Sequence, residues 1–187
     1  MKKIWIALLA VTLLAGCGKE NAAPETTATQ PVQTTTQSTK PENEDAYMNI
    51  TAEEAKKLME ITKQCFYKGA AAAVIDNRIG DIGAAVEAHA SENGFSVVRR
   101  YVGHGIGHDL HEEPEVPNYG TPGRGARLYS GMVLAIEPMI NVGTFNVREL
   151  SDKWTVVTAD GKLSAHYENT VAVTENGPLL LTDIETV

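Results

Sequence analysis

Two hydrophobic periods follow one another along the chain after residue 48. Ala55, Leu58, Met59, Thr62, Cys65 and Phe66 recur at helical spacing. Thr51-Ala52-Glu53-Glu54 has the spacing of a capping box, so this helix should start at Thr51. A second helix is predicted from about Ile79 to Asn93, with Ile82, Val86 and Ala90 as its stripe and Asn93-Gly94 as its stop. After Gly94 the apolar runs become short and strand-like. They are Phe95 to Val98, Met132 to Ile140 (MVLAIEPMI), Trp154 to Thr158, Leu163 to Val173 and Pro178 to Thr182. Asp160-Gly161 and Asn176-Gly177 are turn signals between the last three, and Pro117 to Arg127 reads as a loop. Helices first and then a mostly antiparallel sheet make an α+β domain over residues 48–187, and no internal repeat is visible.

Ahead of that domain the pattern is different. Lys2 and Lys3 precede an uncharged apolar run from Ile4 to Ala15. The run is shorter than the roughly 20 residues that cross a bilayer, but it suits an export signal. Leu14-Ala15-Gly16-Cys17 resembles the lipobox of bacterial lipoproteins, in which the cysteine is lipidated. Residues 1–17 are therefore expected to be a lipoprotein-type signal peptide, with Cys17 as the lipidation site. Residues 18–47, rich in Thr, Pro and Gln, have too little apolar surface to offset the entropy of ordering, and read as a tether. The expected location is the extracytoplasmic face of a membrane, held by lipid on Cys17.

Charge and cysteine content narrow the function. The formal net charge is -8, and no basic cluster offers a nucleic-acid surface. The two cysteines cannot make a disulfide framework, and Cys65, on the first helix's apolar face, reads as a buried small hydrophobe.

The chemistry concentrates in three places. Tyr101 to Pro114 (YVGHGIGHDLHEEP) holds His104, His108 and His111, three of the five histidines, with Gly103, Gly105 and Gly107 between and beside them. Glu137 lies inside MVLAIEPMI, and Glu168 inside AHYENTVAV. A carboxylate in an apolar strand must be paired, protonated or bound to a cation. One such residue could belong to a salt bridge. Two of them, with a glycine-framed histidine upstream, suggest a metal site of His104, Glu137 and Glu168, with donors that suit Zn, Mn, Fe or Co. The HExxH zinc signature does not apply, because Glu115 follows Pro114 and a proline would break the helix that motif needs. His89, at the edge of the second helix's stripe, reads as structural.

These segments resemble a known family. GFSVVRRYVGHGIG, GHGIGHDLHEEP, GMVLAIEPMI and DKWTVVTADGKLSAHYENTVAVTENG are similar, in order and spacing, to blocks of the type I methionine aminopeptidases, pita-bread metallopeptidases of family M24. The resemblance runs from about Ile50 to Thr182. It implies an incomplete pita-bread fold and two divalent ions, Co, Mn, Fe or Zn, that activate a water against the peptide carbonyl. By the same resemblance His104, Glu137 and Glu168 are metal ligands, Glu168 bridging. Glu137 also moves the proton, and His111 contacts the substrate, a peptide with N-terminal Met. His108 has a peripheral role, and His166 gives local support rather than a ligand. The family's first two ligands are aspartates on a strand pair ahead of the first helix. The Thr-rich tether occupies that place here, and Asp45, Asp76 and Asp81 do not replace them. Three readings remain: a metallo-aminopeptidase, with a partner chain supplying the missing strands; a catalytically degenerate, membrane-anchored module that binds peptides or a partner; or a truncated or rearranged gene product that does not fold stably alone.

Overall fold

A computed structural model describes residues 51–182. The leader, the tether and Cys17 lie outside the described residues. No helix among those described is long and apolar enough to cross a membrane.

The first helix, α1 (Ala52–Ala71), begins on the expected capping box: Glu54 N–H donates to the Thr51 hydroxyl at 3.2 Å, and the Thr51 N–H donates to the Glu54 carboxylate at 2.9 Å. Its buried face is Leu58, Ile61, Thr62, Cys65, Phe66, Gly69 and Ala70. Met59, expected on that face, is 65% exposed, and Ile61 takes its place. Met59 lies at the edge of the stripe and borders an open cleft with Lys56, Glu60 and Lys63. The second helix, α2 (Ile79–Glu92), buries Ile79, Ile82, Gly83, Val86 and Ala90 and ends with Asn93 as its cap.

Ten short strands follow: β1 (Ser96–Val97), β2 (Gly103–Ile106), β3 (Glu112–Val116), β4 (Val133–Ile136), β5 (Met139–Asn141), β6 (Val147–Glu149), β7 (Val156–Thr158), β8 (Ser164–His166), β9 (Asn169–Thr174) and β10 (Gly177–Leu180). They form a five-stranded sheet ordered β10-β9-β4-β2-β3, a three-stranded sheet β1-β5-β8 and the hairpin β6-β7, with every strand pair antiparallel. One core cluster packs Phe66, Ile79 and Ile82 against Leu134, Ile136, Val171 and Val173 of the five-stranded sheet. The other packs Leu58, Ile61, Cys65, Val86 and Ala90 against Val97 and Ile140 of the three-stranded sheet. The helices thus cover one face of both sheets, as an α+β layer arrangement requires.

Two predicted strands each divide in the structure. Met132 to Ile140 becomes β4 and β5, and Leu163 to Val173 becomes β8 and β9. Across both breaks the register is continuous. Met139 faces His166 on one side, Ile136 faces Asn169 on the other, and the Tyr167 N–H donates to the Pro138 carbonyl at 3.2 Å between them. The cause of the break is chemical: Pro138 has no N–H to give to a ladder. The ribbon therefore leaves the five-stranded sheet at Glu137 and enters the three-stranded one at Met139. The outer strands are also shorter than expected: Phe95 to Val98 contracts to β1, Trp154 to Thr158 to β7, and Pro178 to Thr182 shifts to β10.

Candidate metal centre

The break in the ribbon is where the two glutamates sit. Glu137 directly follows β4 and Glu168 directly precedes β9, so neither lies inside a strand, contrary to the reading from the sequence. The β4–β9 register pairs Ile136 with Asn169, and its next step sets Glu137 opposite Glu168. Side chains alternate along a strand. Leu134 and Ile136 point to the helices, so Ala135 and Glu137 belong to the other face. His104 of β2 pairs with Ala135 and joins that face. Antiparallel register alone thus gathers one imidazole and two carboxylates on the side of the sheet away from the core. It also explains their accessibility: the Glu137 side chain is 16% exposed, His104 is 14% exposed, and Glu168 is exposed.

The glycines around His104 answer to the neighbouring backbone. A Cβ at Gly103 would collide with the carbonyl of Ala135, and one at Gly105 with the carbonyl of Glu113. Glycine lets the strands on both sides close onto β2, while the register of β2 with β3 shifts between His104 and Gly105.

Donor atoms of His104, Glu137 and Glu168 all lie within 4.8 Å of one another, and this is the one such group of three among the described residues. His104 Nε2 is 3.7 Å from Glu137 Oε1. Two ligands on one Zn-like ion, each with a bond of about 2.0–2.2 Å, stand roughly 3–4 Å apart, so this pair needs little adjustment to share a cation. Two carboxylates gathered beside an imidazole also carry an excess of negative charge that a divalent cation would neutralise. The donor set therefore fits a borderline divalent ion such as Zn, Mn, Fe or Co.

Around this trio the structure arranges further groups. His111 stacks beside His104, with ring centroids 4.1 Å apart and the rings tilted by 45°. His166 Nε2 approaches Glu137 Oε2 at 3.4 Å, in keeping with local support. His104 Nδ1 lies 2.9 Å from the Gly105 carbonyl, which fixes Nδ1 as the protonated nitrogen and leaves Nε2 free to bind. His108 stands apart, its side chain 98% exposed, and His89 contacts Gln64 at 3.0 Å on the helical layer. Asp76 pairs with Arg127 at 2.9 Å. Asp81 accepts the Arg78 N–H at the start of α2 and the Gly123 N–H. Both aspartates have structural work and are absent from the metal cluster.

Sequence reasoning missed Asn118. Its side chain is buried, and its Nδ2 donates to the Glu137 backbone carbonyl at 3.1 Å, holding the chain where β4 leaves its sheet. An asparagine between a proline and a tyrosine in a loop gives no periodic signal that would single it out.

Comparison with known proteins agrees with this geometry. Metallopeptidase family M24 matches residues 40–175. The methionine aminopeptidase of Clostridium perfringens is 60% identical over 134 residues, covering 72% of this chain and 54% of that protein. Methionine aminopeptidase 1 of Bacillus subtilis is 50% identical over 133 residues, covering 71% of this chain and 54% of that one. The crystal structure of methionine aminopeptidase from Thermotoga maritima superposes with a TM-score of 0.69 at 45% identity, over 71% of this chain and 53% of that chain. The chain spans about half the length of the curated relatives it matches. A sheet register that delivers His104, Glu137 and Glu168 to one face, in a sequence matched by the family over most of its length, means that the chain belongs to metallopeptidase family M24.

Proposed function

We propose that this chain carries the ligand-bearing part of a metallo-aminopeptidase that removes N-terminal methionine from peptides. The observation that carries the reading is the convergence of His104, Glu137 and Glu168 within 4.8 Å on an open sheet face. A divalent ion held there would supply Lewis-acid polarisation of the peptide carbonyl and acidify a water molecule. His104 on β2 and Glu168 just ahead of β9 would bind it from either side of Glu137. Glu137 adds a ligand oxygen and is the carboxylate placed to take up a proton and pass it to the leaving amine. His111, exposed and with its ring 4.1 Å from that of His104, would donate a hydrogen bond to the carbonyl oxygen as negative charge builds on it.

A partner chain belongs to the same proposal. β8 has β5 as its one neighbour among the described residues, and the face that bears the ligands is half-exposed along β2 and β9. Relatives about twice as long have further chain available to cover such surfaces. A partner adding strands at that edge would enclose the site and bring further ligands to it. The leader and Cys17 support an extracytoplasmic, lipid-held location, where cell-envelope or exogenous peptides are the accessible substrates.

The test is Mn²⁺- or Co²⁺-dependent release of methionine from Met-Ala-Ser by the full chain. It is run alone and with a fragment corresponding to the unmatched half of the Clostridium perfringens relative, with His104→Ala as the control. Metal-dependent release that increases with the fragment and disappears in the variant is the expected result. A second reading, a degenerate module that binds peptides or a partner, rests on the small size of the ligand set. It is favoured if a folded chain binds the tripeptide but releases no methionine in either form.

A further inference from the structure

Glu137 is approached by imidazoles from both sides. His104 Nε2 is 3.7 Å from Oε1, and His166 Nε2 is 3.4 Å from Oε2. The ladder explains why. Glu137 lies opposite Glu168, and residues two places along a neighbouring strand lie on the diagonal, within reach of long side chains. His104 occupies that diagonal on β2, through its pairing with Ala135. His166 occupies the corresponding diagonal on β8, through its pairing with Met139. The two histidines differ in consequence. His104 joins the cluster whose donor atoms could share one ion, whereas His166 does not. His166 is also 46% exposed and borders the cavities of 440 Å³ and 290 Å³ on either side of β8.

Resting on the metal-site reading above, we propose that His166 is a positioning residue. Its Nε2–H binds the outer oxygen of Glu137, so that the carboxylate presents Oε1 towards His104 and Glu168. Asn118 holds the backbone of the same residue through its carbonyl at 3.1 Å. A glutamate at a strand break would otherwise choose among several rotamers. Gripping both its main chain and its outer oxygen removes that freedom before a cation arrives. Groups of this kind, which orient a ligand without touching the metal, change metal affinity by about 10–100-fold when removed.

The experiment titrates Co²⁺ into the full chain in detergent and records the visible absorption, for the wild type, His166→Ala, His166→Gln and His104→Ala. The expected result is Co²⁺ affinity lowered about 10-fold or more in His166→Ala. In His166→Gln, whose amide can still donate to Glu137, affinity should largely recover. The absorption bands of the loaded His166→Ala protein should match the wild type, because the ligands themselves are unchanged. Thermal unfolding in EDTA should also be unchanged, which separates positioning from a general loss of fold. Unaltered affinity in His166→Ala overturns the proposal, and so do displaced bands, which would make His166 a direct ligand. If His104→Ala binds Co²⁺ as well as the wild type, the metal-site reading itself fails and this inference fails with it.

Discussion

At the scale of single residues, burial and partnership decide what each side chain can do. Cys65 is fully buried on α1, and burial pushes its thiol up to about 12 from an ordinary value of 9.0. It is therefore a packing residue, unavailable as a nucleophile or a ligand at neutral pH. The shift has a definite consequence for stability. Above pH 9 the unfolded chain ionises this thiol while the folded chain keeps it protonated, so the unfolded state binds fewer protons. Stability must then fall as pH rises from about 9 towards about 12, with a slope approaching ~1.4 kcal/mol per pH unit from this group. Urea denaturation of the wild type and Cys65→Ala across that range measures it. The variant should lose this component of the alkaline slope, and an identical slope in both proteins would contradict the assignment. Glu137 is the opposite kind of residue. It is only partly buried, flanked by the imidazoles of His104 at 3.7 Å and His166 at 3.4 Å, and its backbone carbonyl accepts from Asn118.

At the scale of elements, the site depends on how closely β2 lies against its neighbours. Gly103→Ala would drive a Cβ into the carbonyl of Ala135, a backbone atom of the adjoining strand that cannot rotate away. We expect a loss of about 1–3 kcal/mol in urea denaturation. Metal binding should weaken as well, because His104 is the next residue on the displaced strand. Unchanged stability and binding would mean that the ladder can spread at no cost. What the sequence makes legible is local. The capping box at Thr51, the stripe of α2 with its Asn93 end, and the turn at Asn176-Gly177 all appear where spacing and turn chemistry put them. Strand division was hidden, because Pro138 in an apolar run can mean an edge, a bulge or a change of sheet. Only the pairing of Met139 with His166 and of Ile136 with Asn169 decides between them. Residue type and family resemblance single out the three candidate ligands. Their convergence follows from long-range register, which local periodicity does not contain. Asn118 was invisible for the same reason, since its role depends on a carbonyl that is distant in sequence.

At the scale of the whole molecule, two helices and two sheets build a core on one side and leave the ligand-bearing face accessible on the other. The function proposed above would use that open face, with a cation at His104, Glu137 and Glu168, a peptide beside His111 and further strands at the β8 edge. On the proposed reading of residues 1–17 as an export signal, the peptide chemistry would operate at the outer face of a membrane, on substrates found there. All of this depends on whether the three convergent side chains hold a divalent ion. Equilibrium dialysis of the full chain against Mn²⁺, for the wild type, His104→Ala and Glu168→Gln, asks that directly. The account predicts saturable Mn²⁺ binding by the wild type that either substitution abolishes while the protein still unfolds cooperatively. A cooperatively folded wild type that takes up no Mn²⁺, or binding that both substitutions leave unchanged, would contradict it.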